Sequence, residues 1–218
     1  MNVLLDLDGT LADSRPGILA CFRYMLSELG HDPAAAGDMT WAVGPPMAVS
    51  VGKMLAQFGD DRVGLGLTTY RSRYTTTGLY ECSAFPGIPA MLAALQQAGH
   101  GLCVATSKRR DFAERVVDYL GLRHYLPKVY GALPAGGLDD KQYLLAEIMR
   151  VERYDPAGTI MVGDRLHDIH AAKANGLRSV GVLWGYGGQA ELQQAGADLL
   201  AATPVGVADL IQTMAHTA

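Results

Sequence analysis

The chain has 218 residues, 49% hydrophobic and 18% charged, with a formal net charge of −4. That length allows one large domain or a core with a small insert, and the composition suits a globular protein that buries a sizeable core. The charge gives no electrostatic footprint for nucleic acid, and no apolar run approaches the roughly 20 residues that span a bilayer.

In chain order, the first apolar run predicts a buried strand over 3–6, followed at once by Asp8-Gly9-Thr10. An amphipathic pattern predicts a helix over 15–29, closed by Gly30. After the Gly44-Pro45-Pro46 corner, further helices are expected over 49–58 and 67–75. Pro86-Gly87 marks a change of rhythm. From there strands are predicted over 102–106, 159–162 and 179–183, with shorter candidates at 129–130 and 198–200. Helices are expected between them over 88–98, 111–120, 141–150 and 169–175, with Gly99, Gly121 and Gly176 at their ends. Strands alternating with helices specify an α/β fold around a Rossmann-like parallel sheet with helices on both faces. Residues 14–81 lack a convincing strand and read as a helical insert. The expected division is an α/β core of residues 1–13 and 82–218 with a helical domain of residues 14–81 between.

Three cysteines, Cys21, Cys82 and Cys103, have no paired spacing. They read as reduced thiols of a cytoplasmic protein and as neither a disulfide framework nor a metal site. The apolar start has no basic flank and meets an acid at Asp6, so it does not read as a signal peptide.

Four segments place polar groups where an open α/β sheet carries its site, beyond the carboxyl ends of its strands. Asp6 and Asp8 are two apart and start on one face of the chain. Two such carboxylates repel unless a cation or shared proton compensates, and a divalent metal is the simplest compensation. A carboxylate can attack phosphorus, while a second acid protonates the leaving oxygen and then activates water. The competing reading is an acidic turn in which Asp8 caps the next helix. Thr106-Ser107-Lys108 follows a strand, and a hydroxyl with backbone N–H groups at a helix start suits a phosphoryl oxygen, although an ordinary helix cap has the same composition. Lys141 opens a helix, an odd place for a cation given the helix dipole. It reads as neutralising a nucleophile and a transferring phosphoryl group, against the alternative of a solvated lysine. Gly163-Asp164 ends an apolar strand and offers a carboxylate of the kind magnesium prefers, with Asp168 one helical turn further on, placed to fix a water or Lys141. His167 and His170 read as surface residues.

Taken together, Asp6-x-Asp8-Gly9-Thr10, Thr106, Lys141 and Gly163-Asp164-x-x-x-Asp168 resemble the haloacid dehalogenase superfamily of phosphatases over essentially the whole chain. Within it the chain is most similar to the phosphoglycolate phosphatase-like group, through Gly78-Leu79-Tyr80-Glu81, Phe85-Pro86-Gly87-Ile88 and Gly181-Val182-Leu183-Trp184-Gly185-Tyr186-Gly187. The resemblance implies that the insert is a small helical cap. It implies Asp6 as nucleophile and Asp8 as general acid/base. Mg²⁺ would be held by Asp6, the main-chain carbonyl of Asp8, and Asp164. Thr106 and Lys141 would bind the phosphoryl group with Gly9 and Ser107, and Asp168 would be an acid outside the metal's own ligands. Two departures stand out: that group often has Thr-Asn-Lys where this chain has Thr106-Ser107-Lys108, and a proline where Gln142 follows Lys141.

These readings converge on a Mg²⁺-dependent phosphomonoesterase for a small phosphorylated metabolite such as phosphoglycolate, acting without nucleic acid or membrane as a monomer or weak homodimer. A dehalogenase would use Asp6 but needs no acid for a halide, so Asp8 and Asp164 argue against it. A sugar phosphomutase, a 5'-nucleotidase and a non-catalytic phosphometabolite-binding protein are the alternatives. For substrate choice the insert offers Arg15, Arg23, Lys53, Arg71 and Arg73. Arg15 beside the hinge and Lys53 after the proline corner are the favoured anion contacts. Trp41, Tyr70 and Trp184 would suit a nucleobase or aryl group but read more simply as packing residues.

Overall fold

The computed structural model describes residues 1–133 and 135–216, the side chains of 215 and 216 excepted. It divides into two compact units, Met1–Ala12 with Ala84–Ala218, and Asp13–Ser83. The chain opens with β1 (Asn2–Leu5) and leaves the first unit through the two-residue strand β2 (Ala12–Asp13). Helices α1 (Arg15–Glu28), α2 (Met47–Ala56) and α3 (Val63–Tyr74) follow, with short 3-10 turns at Pro33–Ala36, Thr40–Ala42 and Gly78–Tyr80. Strand β3 (Ser83–Ala84), paired with β2, leads back. The remainder runs α4 (Ile88–Gln97), β4 (Gly101–Arg109), α5 (Arg110–Tyr119), β5 (Lys128–Ala132), α6 (Lys141–Glu152), β6 (Thr159–Gly163) and α7 (Leu166–Ala174). It closes with β7 (Arg178–Val182), α8 (Gln189–Ala195), β8 (Leu199–Ala201) and α9 (Pro204–His216).

Six strands form a parallel sheet in the order β5-β4-β1-β6-β7-β8. Its central strands are near-continuous apolar runs because both faces are covered. Leu4, Cys103 and Met161 pack on one face under α6 and α7, through Leu144, Leu145, Ile148, Ala171 and Ala172. Val3 and Leu5, alternating with Leu4, are equally inaccessible to solvent. The helices α4 and α9 pack on each other and on β4, β7 and β8. The chain first adds strands on one side of β1 and then crosses to add β6 on the other. The carboxyl ends of β1, β4 and β6 therefore meet at a topological switch point, where such sheets place their sites.

The helical unit is held by an apolar stripe along α1, with Ile18, Cys21, Phe22, Met25 and Leu26 buried at helical spacing. Phe22 lies with its ring 5.1 Å from Tyr70, which stacks on Tyr74 at 5.4 Å. Tyr70 is thus a packing residue. Arg73 donates to both oxygens of Glu81 at 2.8 and 2.9 Å, fastening α3 to the turn after it. Gly17 is where α1 meets that turn, and a side chain there would strike the carbonyl of Gly78 at 2.0 Å.

Several boundaries differ from the sequence expectation for local reasons. The strand expected over 102–106 continues to Arg109, so Thr106-Ser107-Lys108 lies in β4 and not at a helix start. Thr106 pairs with Gly131 and Arg109 with Ala132, which leaves Ser107 and Lys108 as a bulge. Helix α7 begins three residues before the expected 169, because the Asp168 carboxylate accepts from the Arg165 N–H and secures the first turn. Helices α8 and α9 had no counterpart in the expectation. Among the described residues, no helix is long and apolar enough to cross a membrane.

Candidate active site

Asp6 directly follows β1, its N–H donating to the carbonyl of Val162 at 2.9 Å, which extends the sheet by one bond. The next turn is closed by Leu7, whose carbonyl accepts from Leu11 at 3.0 Å and Ala12 at 2.9 Å. This folds Asp8, Gly9 and Thr10 over the strand ends. Gly9 has a φ of +88°, and a Cβ there would sit 2.3 to 2.7 Å from the Asp164 carboxylate, so neither the turn nor the close approach tolerates a side chain.

Lys141 is the first residue of α6, where Asp140 caps the helix by accepting from the N–H of Gln142 at 2.7 Å. Its buried ammonium donates to Asp168 Oδ1 and stands 2.9 Å from Asp6 Oδ1. Burial alone would lower its pKa, but the Asp168 and Asp6 carboxylates outweigh burial and hold it above the ordinary lysine value, as a cation. The other Asp168 oxygen accepts from the N–H of Arg165 at 3.0 Å, so one fully buried carboxylate anchors both Lys141 and the first turn of α7. A Cβ on Gly163 would collide with Asp168 at 2.1 Å.

Asp164 directly follows β6 and has no solvent exposure. Oδ1 accepts from the Thr10 hydroxyl at 3.3 Å and Oδ2 from the N–H of Tyr186 at 2.7 Å. Burial, reinforced by Asp168 and Asp6, pushes its pKa up to about 8. Burial raises Asp6 to about 6 against the opposing attraction of Lys141. Ligand atoms of Asp6, Asp164 and Asp168 lie within 4.8 Å of one another. Three carboxylates around one ammonium leave an excess of negative charge. Among the described residues, Asp6 Oδ1 has no aligned hydrogen-bond donor; the approach of Lys141 is an ion pair without that alignment. Buried hard oxygens with one unsatisfied atom fit a hard divalent cation. Asp168 is tied to the Lys141 cation and the Arg165 N–H, whereas Asp164 meets only the neutral donors Thr10 and the Tyr186 N–H.

Thr106 is buried, and its hydroxyl accepts from the Lys108 N–H at 3.3 Å; Ser107 is half-buried in the bulge. The Lys108 ammonium donates to both oxygens of the half-buried Asp8 at 2.6 and 2.5 Å. Sequence reasoning quoted Lys108 but gave it no role. It also missed Thr10 and the segment Trp184-Gly185-Tyr186. Trp184 donates from Nε1 to the Thr10 carbonyl at 3.0 Å, and Gly185 lies against Asp164 and the Gly9 carbonyl. The signal was the glycine-punctuated run directly after the strand over 179–183. Arg15 and Lys53 belong to the helical unit. Exposed Arg15 is 3.7 Å from Asp13, and exposed Lys53 sits 4.3 Å above the Trp41 ring. His167 and His170 are exposed on α7.

The profile of haloacid dehalogenase-like hydrolases matches residues 3–182, a span that takes in every carboxylate, lysine and hydroxyl of this constellation. The chain belongs to this family. Among curated relatives of this haloacid dehalogenase-like hydrolase, a 5'-nucleotidase of Pseudomonas aeruginosa is 35% identical, over 88% of this chain and 86% of its own. A phosphoglycolate phosphatase of Neisseria meningitidis is 33% identical, over 88% and 84%. The tyrosine-protein kinase PtkA of Mycobacterium tuberculosis is 38% identical over 85% of this chain but only 62% of its own length. Among solved structures, a "predicted phosphatase" of Clostridium acetobutylicum superimposes with a TM-score of 0.86 at 30% identity, over 99% of this chain and 98% of that one. The fold is that of the family's phosphatases, and the enzyme is a phosphatase.

Proposed function

We propose that this phosphatase hydrolyses a small phosphomonoester through an aspartyl-phosphate on Asp6. The observation that carries the reading is Lys141 held between Asp6 and Asp168. It leaves a buried carboxylate beside a fixed positive charge, with Asp8 two residues away at the rim. A carboxylate of Asp6 attacks phosphorus as the bond to the ester oxygen breaks. Asp8 gives its proton to that oxygen, and the alcohol leaves. Asp8 then takes a proton from water as the water oxygen bonds to phosphorus and the link to Asp6 breaks, releasing inorganic phosphate. Lys141 and Thr106 hold the phosphoryl oxygens, with Gly9 and Ser107 beside them, in a step that is mostly positioning and electrostatics. Mg²⁺ fits the Asp6, Asp164 and Asp8-carbonyl set and, when bound, supplies charge neutralisation for the transferring group. Asp168 acts by holding Lys141.

In this reading the helical unit serves as a cap that admits small substrates and excludes bulk water, with Arg15 and Lys53 as its candidate anion contacts. The substrate class is a small phosphorylated metabolite of the phosphoglycolate type, supported by the relative of that name in Neisseria meningitidis. A nucleoside monophosphate is the second reading, favoured by the similarity to a 5'-nucleotidase. Three cysteines that form no disulfide with one another suit a reducing, cytoplasmic compartment. A phosphate-release screen over small phosphoacids, sugar phosphates and nucleoside monophosphates, with and without Mg²⁺, separates these substrates. An isomerised sugar phosphate without free phosphate would indicate a mutase instead. Asp6→Asn should abolish phosphate release with an unchanged circular dichroism spectrum; full activity in that variant ends the aspartyl-phosphate reading.

A further inference from the structure

Lys108, the second residue of the β4 bulge, has no part in the chemistry described so far. Ordinary pairing would put one β4 residue opposite each residue of β5, but between Thr106 and Arg109 two extra residues are accommodated where β5 advances by one. Bulges beside sites re-aim side chains, and this one delivers Lys108. The Lys108 side chain is 6% exposed, so its ammonium has been brought out of water, and it meets Asp8 through both carboxylate oxygens. The displaced backbone is seated on Gly131. A Cβ there would lie 2.4 Å from the Lys108 carbonyl oxygen and 3.1 Å from the Arg110 backbone. A half-buried lysine on a bulge that a glycine must accommodate is a specific device, and its partner is Asp8.

We infer that Lys108 is a positioning residue, which aims the Asp8 carboxylate at the ester oxygen and then at the attacking water. The inference rests on the role of Asp8 proposed above. Asp8 is half-buried on a turn, with a carboxylate plane that only a directed partner can fix about its own bond. Two hydrogen bonds from one ammonium fix that plane. Lys108 touches neither phosphorus nor the leaving oxygen in this scheme, and it acts through Asp8.

The leaving group provides the test. Expulsion of an alkoxide needs a proton from Asp8, whereas p-nitrophenolate leaves without one. Water activation needs Asp8 with either ester. In Lys108→Met, kcat/KM for glycerol phosphate should fall roughly 10- to 100-fold, the scale of a misplaced catalytic group. For p-nitrophenyl phosphate kcat/KM should hold within about threefold while kcat drops, and a burst of about one nitrophenolate per enzyme should appear as the phosphoenzyme accumulates. Lys108→Arg should recover part of the loss. Gly131→Ala, which displaces the bulge and leaves the lysine in place, should show the same leaving-group pattern more weakly. Asp8→Asn provides the limiting case. A raised KM at unchanged kcat would make Lys108 a substrate contact and overturn the inference. Equal losses with both esters and no burst, accompanied by a lowered melting temperature, would make it merely structural. If the wild type releases phosphate and Asp8→Asn is as active, the role of Asp8 fails first and takes the inference with it.

Discussion

At the carboxyl ends of β1 and β6, Asp6 and Asp168 share the Lys141 ammonium, and Asp164 is met by the neutral donors Thr10 and the Tyr186 N–H. In the helical unit, Arg73 and Glu81 meet one to one through two hydrogen bonds at the edge of a packed aromatic interior. The first arrangement is costly to fold, since burying carboxylates without equal countercharge is penalised. The second is matched and partly solvated, so it adds little strain and little energy. The difference teaches where to look for function. A fold that tolerates an unbalanced charge cluster at a strand-end switch point keeps it for something that arrives later, and a balanced pair only fastens a turn.

The contrast is broken most severely at Lys141. Lys141→Met leaves Asp6 and Asp168 without their cation, and removing one partner of a buried pair costs about 3–5 kcal/mol. Phosphate release should fall roughly 10²- to 10³-fold, as for other lost electrostatic stabilisers. Chemical denaturation and a phosphate assay on the same preparation measure both. A variant of wild-type stability would mean that the carboxylates were never held charged.

Next in size is the response to pH and cation. The folded protein holds Asp164 at about 8 and Asp6 at about 6, above the ordinary carboxylate value. The native state therefore binds more protons than the unfolded chain between about pH 4 and pH 8. Stability contributed by these groups is fully present below the unfolded value and is lost as pH rises through the folded values. Each group contributes up to about 1.4 kcal/mol per pH unit over its window. In EDTA the melting temperature should fall steadily from pH 5 to pH 8. Adding Mg²⁺ should restore more at pH 8 than at pH 5, because the ion binds deprotonated carboxylates. A metal-free melting curve that is flat in pH would contradict the charge excess.

The smallest effect tests the other side. Gly17→Ala places a methyl against the Gly78 carbonyl in the helical unit. Overpacking of this kind costs about 1–3 kcal/mol, and it should appear as a lower melting temperature without the pH dependence seen at the carboxylates.

Much of this was legible in the chain itself. The central strands are apolar runs because parallel strands are covered on both faces, and the polar residues that follow them had to fall at the strand ends. Asp6, Asp164 and Lys141 were visible for that reason, each being out of character with the elements beside it. Lys108 was not. Its importance depends on a bulge created by pairing between β4 and β5, and a one-dimensional pattern holds no record of register. The same limit misplaced Thr106-Ser107-Lys108 at a helix start. Helix α9 did carry a helical stripe in Val207, Ala208, Ile211 and Met214, which the reading passed over. Helix α8 is a seven-residue segment of mostly Gln and Ala, too short to show a period. Trp184 looked like packing, and Gly185 and Tyr186 were given no role at the site, because this segment contributes through backbone and indole N–H groups, which residue type does not advertise.

Asp168 carries a consequence for how such an enzyme changes over time. One of its oxygens sets the start of α7 and the other holds the lysine that begins α6. A substitution that relaxes the hold on Lys141 also loosens the cap of a neighbouring helix, and one that improves the cap disturbs the lysine. Two requirements that selection could otherwise adjust separately are written into a single side chain. Variation in substrate preference is therefore expected to accumulate elsewhere, in residues that answer to one task at a time.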